Sequence, residues 1–333
     1  MLGTYQAAAP IWGVTVSGDY AYIAAEAAGL IVLNVSTPAA PVRVGGYNTS
    51  ESAYDVFLSG DHAYVADGQS GLVVIDVSNP VQPNRVGGLD GAGEVRQVVV
   101  SGNYAFLADR YWSGTDWQSY GALRIMDISN PASPRLVGKH QTGGQAWYLA
   151  VKGDLAYVGA DALEVFNVSD PANPQRVGTY GTGGAVALQG DRAFVANFQS
   201  GLHVLDLTDP VNPRSMGLAA CAGYARGVAI AGRYAYVTAE TYDPVAYGVG
   251  LQIFDVGPPV EEPLPPLNIA LSDRKAVVTW PASIPDVTLE TSESLGATPT
   301  WAPEPTAPEV IGEQRVVTLE IGGGARFFRL KKP

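Results

Sequence analysis

The chain has 333 residues, a formal net charge of −12 and 47% hydrophobic residues, with 39 glycines and 24 prolines. That composition describes a turn-rich globular protein and points to an all-β fold, and the acidic balance excludes a nucleic-acid binder. One cysteine and three histidines exclude an intramolecular disulfide and a Cys/His zinc cluster.

No apolar run approaches the roughly 20 residues needed to cross a bilayer, so no membrane span is expected. The opening "MLGTYQAAAP" lacks the basic and long apolar regions of a signal peptide. Inside it, "LGTYQ" at 2–6 reads as a short strand. The phrase "VSGDYAYIAA" at 16–25 then recurs as "LSGDHAYVAD", "VSGNYAFLAD", "VKGDLAYVGA", "LQGDRAFVAN" and "IAGRYAYVTA". The glycines of the six copies, Gly18, Gly60, Gly102, Gly153, Gly190 and Gly232, are spaced by 42, 42, 51, 37 and 42 residues. That period matches one four-stranded blade of a β-propeller.

Each copy reads as a hairpin. Alternating apolar residues such as Val14 and Val16 enter a Ser-Gly-Asp turn, where glycine supplies positive φ, and Tyr20 and Tyr22 lie on the returning strand. A Gly-Leu step opens a third strand, "GLVVIDVSNP" at 71–80, rich in β-branched residues and stopped by Pro80. A fourth follows in "PNRVGGL".

The strands "GLVVIDVSNP", "GALRIMDISN", "GLHVLDLTDP" and "GLQIFDVG", with paired prolines such as Pro80 with Pro83 and Pro131 with Pro134, resemble the LVIVD-repeat proteins. The resemblance covers about residues 2–257 and implies a bacterial β-propeller, with no particular chemistry attached. The sixth copy ends after its third strand at 250–256. Because "LGTYQ" matches "VGTYG" at 177–181, the expectation is a six-bladed β-propeller over 1–257 whose N-terminal strand closes the last blade. Donation of that strand to another molecule is the alternative, giving a homo-oligomer or filament.

A Pro-rich linker at 258–266 leads into period-two alternation over 267–333, a small β-sandwich. Through "VVTWPAS" and "FFRL" it looks like the fibronectin-like domain of many exported bacterial proteins, which implies a secreted or cell-surface setting.

Loops joining second to third strands, and those entering the innermost strands, share one face of a propeller. Residues 109–121, "DRYWSGTDWQSYG", enlarge such a loop where the second copy has five residues at 67–71. Trp12, Tyr54, Tyr111, Trp112, Trp117, Tyr120, Trp147, Tyr242 and Tyr247 map to that face, and Arg96 and Arg226 stand beside them. Amphipathic rings with guanidinium groups suit a protein surface or a glycan. Packing of the rings against one another to hold the long loops is the structural alternative.

The recurring Asp76, Asp127, Asp206 and Asp255, with Asn34 and Asn167, precede Ser-Asn-Pro-like turns and read as backbone caps, not metal ligands. His62, His140 and His203 do not converge, and "AACAGYA" around Cys221 offers no base. No cofactor, metal or catalytic set is therefore assigned. The reading is a non-enzymatic binding or assembly module. Its alternatives are a hydrolase or lyase using Asp55, Asp67, Asp109, Arg96 and Arg226 in the central channel, and a subunit of an extracellular filament or array.

Overall fold

The structure is a computed structural model, and it describes residues 2–90, 93–112, 119–242, 247–257, 267–272, 275–282, 287–293, 300–320 and 326–331. The chain divides into two compact units, Met1–Val260 and Glu261–Pro333.

The first unit is a series of antiparallel sheets, each made of consecutive strands. Sheet one holds β1 (Gly13–Ser17), β2 (Tyr20–Ala24), β3 (Leu30–Asn34) and β4 (Val42–Tyr47). Sheet two holds β5 (Asp55–Ser59), β6 (His62–Ala66), β7 (Leu72–Asp76) and β8 (Asn84–Leu89). Sheet three holds the longer β9 (Glu94–Ser101), β10 (Tyr104–Trp112), β11 (Ser119–Asp127) and β12 (Arg135–Thr142). Sheet four holds β13 (Tyr148–Lys152), β14 (Leu155–Gly159), β15 (Leu163–Asn167) and β16 (Gln175–Tyr180). Sheet five holds β17 (Ala185–Gln189), β18 (Arg192–Asn197), β19 (Gly201–Asp206) and β20 (Arg214–Ala219). Sheet six has three strands among the described residues, β21 (Tyr224–Ala231), β22 (Tyr234–Tyr242) and β23 (Tyr247–Asp255).

The repeat dictates the local geometry. The six turn glycines have φ between 54° and 57°, in the left-handed region that penalises a β-carbon. Each four-stranded sheet carries one bulge between its third and fourth strands, at Val32/Leu33, Val74/Ile75, Ile125/Met126, Val165/Phe166 and Val204/Leu205, which turns the outer strand. The third strand of each sheet ends in a cap. The side chains of Asn34, Asp76, Asp127, Asn167, Asp206 and Asp255 accept the amide two residues on at 2.8–3.0 Å.

Successive sheets bury their faces against each other. Between sheets two and three, for example, Tyr64, Ala66, Leu72 and Val74 meet Val98, Val100, Ala105 and Leu107. Five such cores join sheet one through to sheet six. At the outer edge, Gly45, Gly87, Gly138 and Gly178 lie against the carbonyls of Pro80, Pro131, Pro171 and Pro210 in the following sheet, with no room for a β-carbon.

The N-terminal segment departs from expectation. Residues 2–6 form no ladder with β23; they lie against sheet one instead, Gly3 on the Pro38 carbonyl and Tyr5 and Ala7 over Ala21, Ile23 and Leu33. Gly3 thus makes the outer-strand glycine's contact with the sheet that follows it. The strand pairing that should close the last sheet is absent among the described residues, and β23 keeps a free edge.

The second unit has two sheets. One orders β24 (Asn268–Ser272), β25 (Lys275–Pro281), β29 (Gln314–Glu320) and β28 (Glu309–Ile311); the other orders β27 (Ala302–Pro303), β26 (Thr288–Ser292) and β30 (Phe327–Lys331). Alternation puts Val278, Trp280, Val317 and Leu319 of the first against Leu289 and Leu330 of the second, in one core. No helix of the described residues is long and apolar enough to cross a membrane.

Candidate binding rim

The backbone sets the rim. Immediately before the inner strands, the amides of Trp12, Tyr54 and Trp147 donate to Ala24, Ala66 and Gly159 at 2.8–3.0 Å, so the three rings leave equivalent points of sheets one, two and four. Arg96 sits near the start of β9, between Tyr54 and Trp147 in sheet order.

These side chains form a ladder. Trp12 meets the edge of Tyr54 with ring centres 5.9 Å apart. The Arg96 guanidinium lies 3.8 Å from the Tyr54 ring centre and 5.0 Å from that of Trp147, and Arg110 approaches Trp147 at 4.4 Å. Glu94 pairs with both guanidiniums, at 2.8 Å to Arg96 and 2.7 Å to Arg110, while Arg110 also donates to Gln145 at 3.2 Å. Burial, and then repulsion from Arg110, holds Arg96 below the usual arginine value. Burial likewise raises the Tyr54 and Tyr148 phenols. Trp12 remains 59% exposed at the open end.

A second group lies on the enlarged hairpin. Tyr111 and Tyr120, directly opposed across β10 and β11, stack with ring centres 5.6 Å apart, and Lys139 stands 5.1 Å over Tyr111. In sheet six Arg226 pairs with Glu240 at 2.8 Å and lies 4.9 Å from the Phe198 ring. Trp117 and the side chains of Trp112, Tyr242 and Tyr247 lie outside the described residues.

The rim residues thus fall into a tight set (Trp12, Tyr54, Arg96, Trp147), a hairpin pair (Tyr111, Tyr120) and Arg226 with its own partners. Glu94, Arg110 and Gln145 were missed in the sequence. The signal for two of them was the length of the third repeat, because extending its hairpin pairs Arg110 with Glu94 across β10 and β9.

Of the carboxylates expected in a channel, Asp55 stitches neighbouring sheets together. Asp55 Oδ2 accepts the Val98 amide of the next sheet at 3.2 Å, and burial pushes its carboxyl up to about 6 against the opposing hydrogen bonds of Val98 and Val56. Gln97 makes the same stitch one sheet on, accepting from Leu149 at 2.6 Å. Asp67 and Asp109 are fully buried, and Asp109 is paired with Arg124 at 2.8 Å. Among the described residues no three His, Cys, Asp or Glu side chains converge on a metal position. Cys221 is free and half-buried, its thiol raised by burial.

Solved structures show the fold. The β-propeller domain of Cps50 (Swd1) from Myceliophteria thermophila aligns with 12% identity over 74% of this chain and 84% of that one, with a TM-score of 0.57. The computationally designed Ika8 protein aligns with 11% identity over 93% of this chain and 96% of its own, with a TM-score of 0.55. No curated protein matches the chain by sequence. The repeat described as LVIVD matches residues 11–49, 51–90, 92–142, 143–182, 181–219 and 222–242. The six matched segments take up well over half of the chain and each opens just before the first strand of a successive sheet, so this β-propeller protein belongs to the LVIVD-repeat family.

Proposed function

We propose that the first unit is a non-enzymatic binding module, part of a secreted or cell-surface protein, whose aromatic and arginine rim contacts a protein or a glycan. The observation that carries this reading is the ladder running from Trp12 through Tyr54, Arg96 and Trp147 to Arg110. Its rings and guanidiniums are already held by one another, so little conformational freedom is lost when a partner lands on them. Two guanidiniums share the single carboxylate of Glu94, leaving one positive charge in an otherwise acidic protein. That favours carboxylate-bearing sugars or acidic side chains on the partner.

The architecture belongs to the same reading. The six repeats are taken as six successive propeller blades, and the second unit as a fibronectin-like sandwich acting as an accessory or attachment domain. The shared core under Trp280 and the alternation of "VVTWPAS" support the latter.

The test is a glycan array carrying neutral and acidic oligosaccharides, run beside an array of acidic and neutral peptides. Wild-type binding should fall by about tenfold or more when Trp12 and Trp147 are both replaced by alanine, the loss typical of central aromatic contacts. Absence of wild-type binding on both arrays, or unchanged binding by the double variant, rejects the proposal.

A further inference from the structure

The two ends of the sheet series are halves of one junction, and both are bare. In sheets one to four the paired third-strand positions Leu30/Val32, Leu72/Val74, Leu123/Ile125 and Leu163/Val165 are 0% exposed, because the following sheet covers them. The equivalent residues of sheet six, Leu251 and Ile253, are 60% and 58% exposed. On the receiving side, Val56 of sheet two is 4% exposed and Val98 of sheet three 1%, whereas their counterpart Val14 in sheet one is 62% exposed, as is Val16. Among the described residues no shared apolar core joins sheet six to sheet one.

The outer-strand position in front of sheet one is already taken. Gly3 meets the Pro38 carbonyl as Gly45, Gly87, Gly138 and Gly178 meet those of Pro80, Pro131, Pro171 and Pro210. Tyr5 packs on the first-sheet core as Tyr47 and Tyr180 pack on theirs. Among the described residues, 2–7 therefore sit as the fourth strand of a preceding sheet without inner strands of its own, while β23 ends a sheet without a fourth. A bare apolar face beside an unpaired strand edge is a template for another chain.

We propose that sheet six of one copy docks between residues 2–7 and β1 of a second copy, repeating the junction that joins every other pair of sheets. The occupant follows from continuity: the face presented by Leu251 and Ile253 is the one Val14 and Val16 are built to receive, and in the single chain both stay open to solvent. The register follows from the repeat. Val32 pairs with Gly45 and Leu30 with Tyr47; Val165 pairs with Gly178 and Leu163 with Tyr180. Across copies, Ile253 accordingly pairs with Gly3 and Leu251 with Tyr5. The contact is head to tail, so association continues until a ring of copies closes or a filament forms. Val14 stands two residues after Trp12, so this surface adjoins the open end of the rim ladder.

The experiment uses the full chain with Cys221→Ala as background. Thr4→Cys is placed in one preparation and Gln252→Cys in another, since these positions face each other in the expected register. Mixing the two under mild oxidation should give a disulfide-linked dimer that neither forms with its partner cysteine absent. Light scattering of the unmodified chain should show concentration-dependent multiples of its mass, and Leu251→Glu or Val14→Glu should weaken that association about tenfold or more. A doubly substituted chain that cross-links as a monomer, while the mixture does not cross-link, overturns the proposal in favour of closure within one chain. A monomeric wild type with no cross-link in any preparation overturns it as well. Rim binding is reported separately by Trp147→Ala, whose ring precedes β13 in sheet four, away from the junction.

Discussion

Arg124 Nε lies 2.8 Å from Asp109 Oδ2 inside sheet three, with 7% and 0% of the two side chains exposed. Burial raises the Asp109 carboxyl and Arg124 opposes that shift, so the pair holds together two charges that would not be buried alone. Asp109→Ala strands the guanidinium and is expected to cost about 3–5 kcal/mol. Replacing both, Asp109→Leu with Arg124→Met, should recover most of that loss because no lone charge remains. Urea unfolding of the two variants decides it: a double variant as unstable as the single one contradicts the argument.

The rim pairs rank differently. Arg96→Met leaves Glu94 bound to Arg110, keeps a long side chain packed between Tyr54 and Trp147, and should cost about 1 kcal/mol or less. Glu94→Ala leaves Arg96 and Arg110 facing each other without a counter-charge and should cost about 1–3 kcal/mol. Thermal unfolding of both variants should show the larger drop for Glu94→Ala. A reversed order would mean that the ladder does not depend on its carboxylate.

Asp55 gives the protein an unusual pH slope. Its folded pKa is raised to about 6 from 3.8, so the folded state holds its proton more tightly than the unfolded state. Stability is therefore greatest below the unfolded value, falls as pH rises from about 4 through about 6, and levels off above. Asp55→Asn keeps an acceptor for the Val98 amide, removes this slope and should add about 1–3 kcal/mol at pH 7.5 while changing little at pH 4. Asp127 behaves oppositely: hydrogen bonds from the Ser129 hydroxyl and amide, then from Arg135, lower its carboxyl to about 2, and its contribution is lost only as pH falls through that value. Carboxyl NMR titrations should place Asp127 far below Asp55, and coincident midpoints would refute both assignments.

Two glycines separate backbone strain from crowding. Gly60 has φ of 55° with open space around it, whereas Gly87 lies against the Pro131 carbonyl. Gly60→Ala should cost about 1–2 kcal/mol and Gly60→Asn distinctly less, because asparagine tolerates the left-handed region. At Gly87 the order inverts, with asparagine at least as damaging as alanine, since the limit there is volume. Equal ranking at the two sites would dissolve the distinction.

Much of the fold was legible because the repeat carries its own punctuation. Gly18 and its five counterparts mark the turns, Asp76 and its counterparts mark where third strands stop, and the prolines after them mark the corners that receive the previous outer strand. The N-terminal strand was harder. "LGTYQ" announces an outer strand, but strand identity does not say which inner strands it pairs with; Gly3 reads only the sheet that follows it. The rim was legible in part. Trp12, Tyr54, Arg96 and Trp147 occupy one repeat position and were found by counting, while Glu94 and Arg110 join them through the third hairpin's length and the charges they exchange. That Asp67 and Asp109 are fully buried was not legible, because burial has no signature in a single residue's identity.

The six tight turns stand at the end of each sheet away from the Trp12 ladder, and nothing lies within 4 Å of a β-carbon built at Gly18, Gly60, Gly102, Gly153, Gly190 or Gly232. Such corners tolerate grafts. A short biotinylated peptide inserted at one of them would tether the molecule to a sensor surface in a single orientation, with its ring-and-guanidinium end directed at the solution.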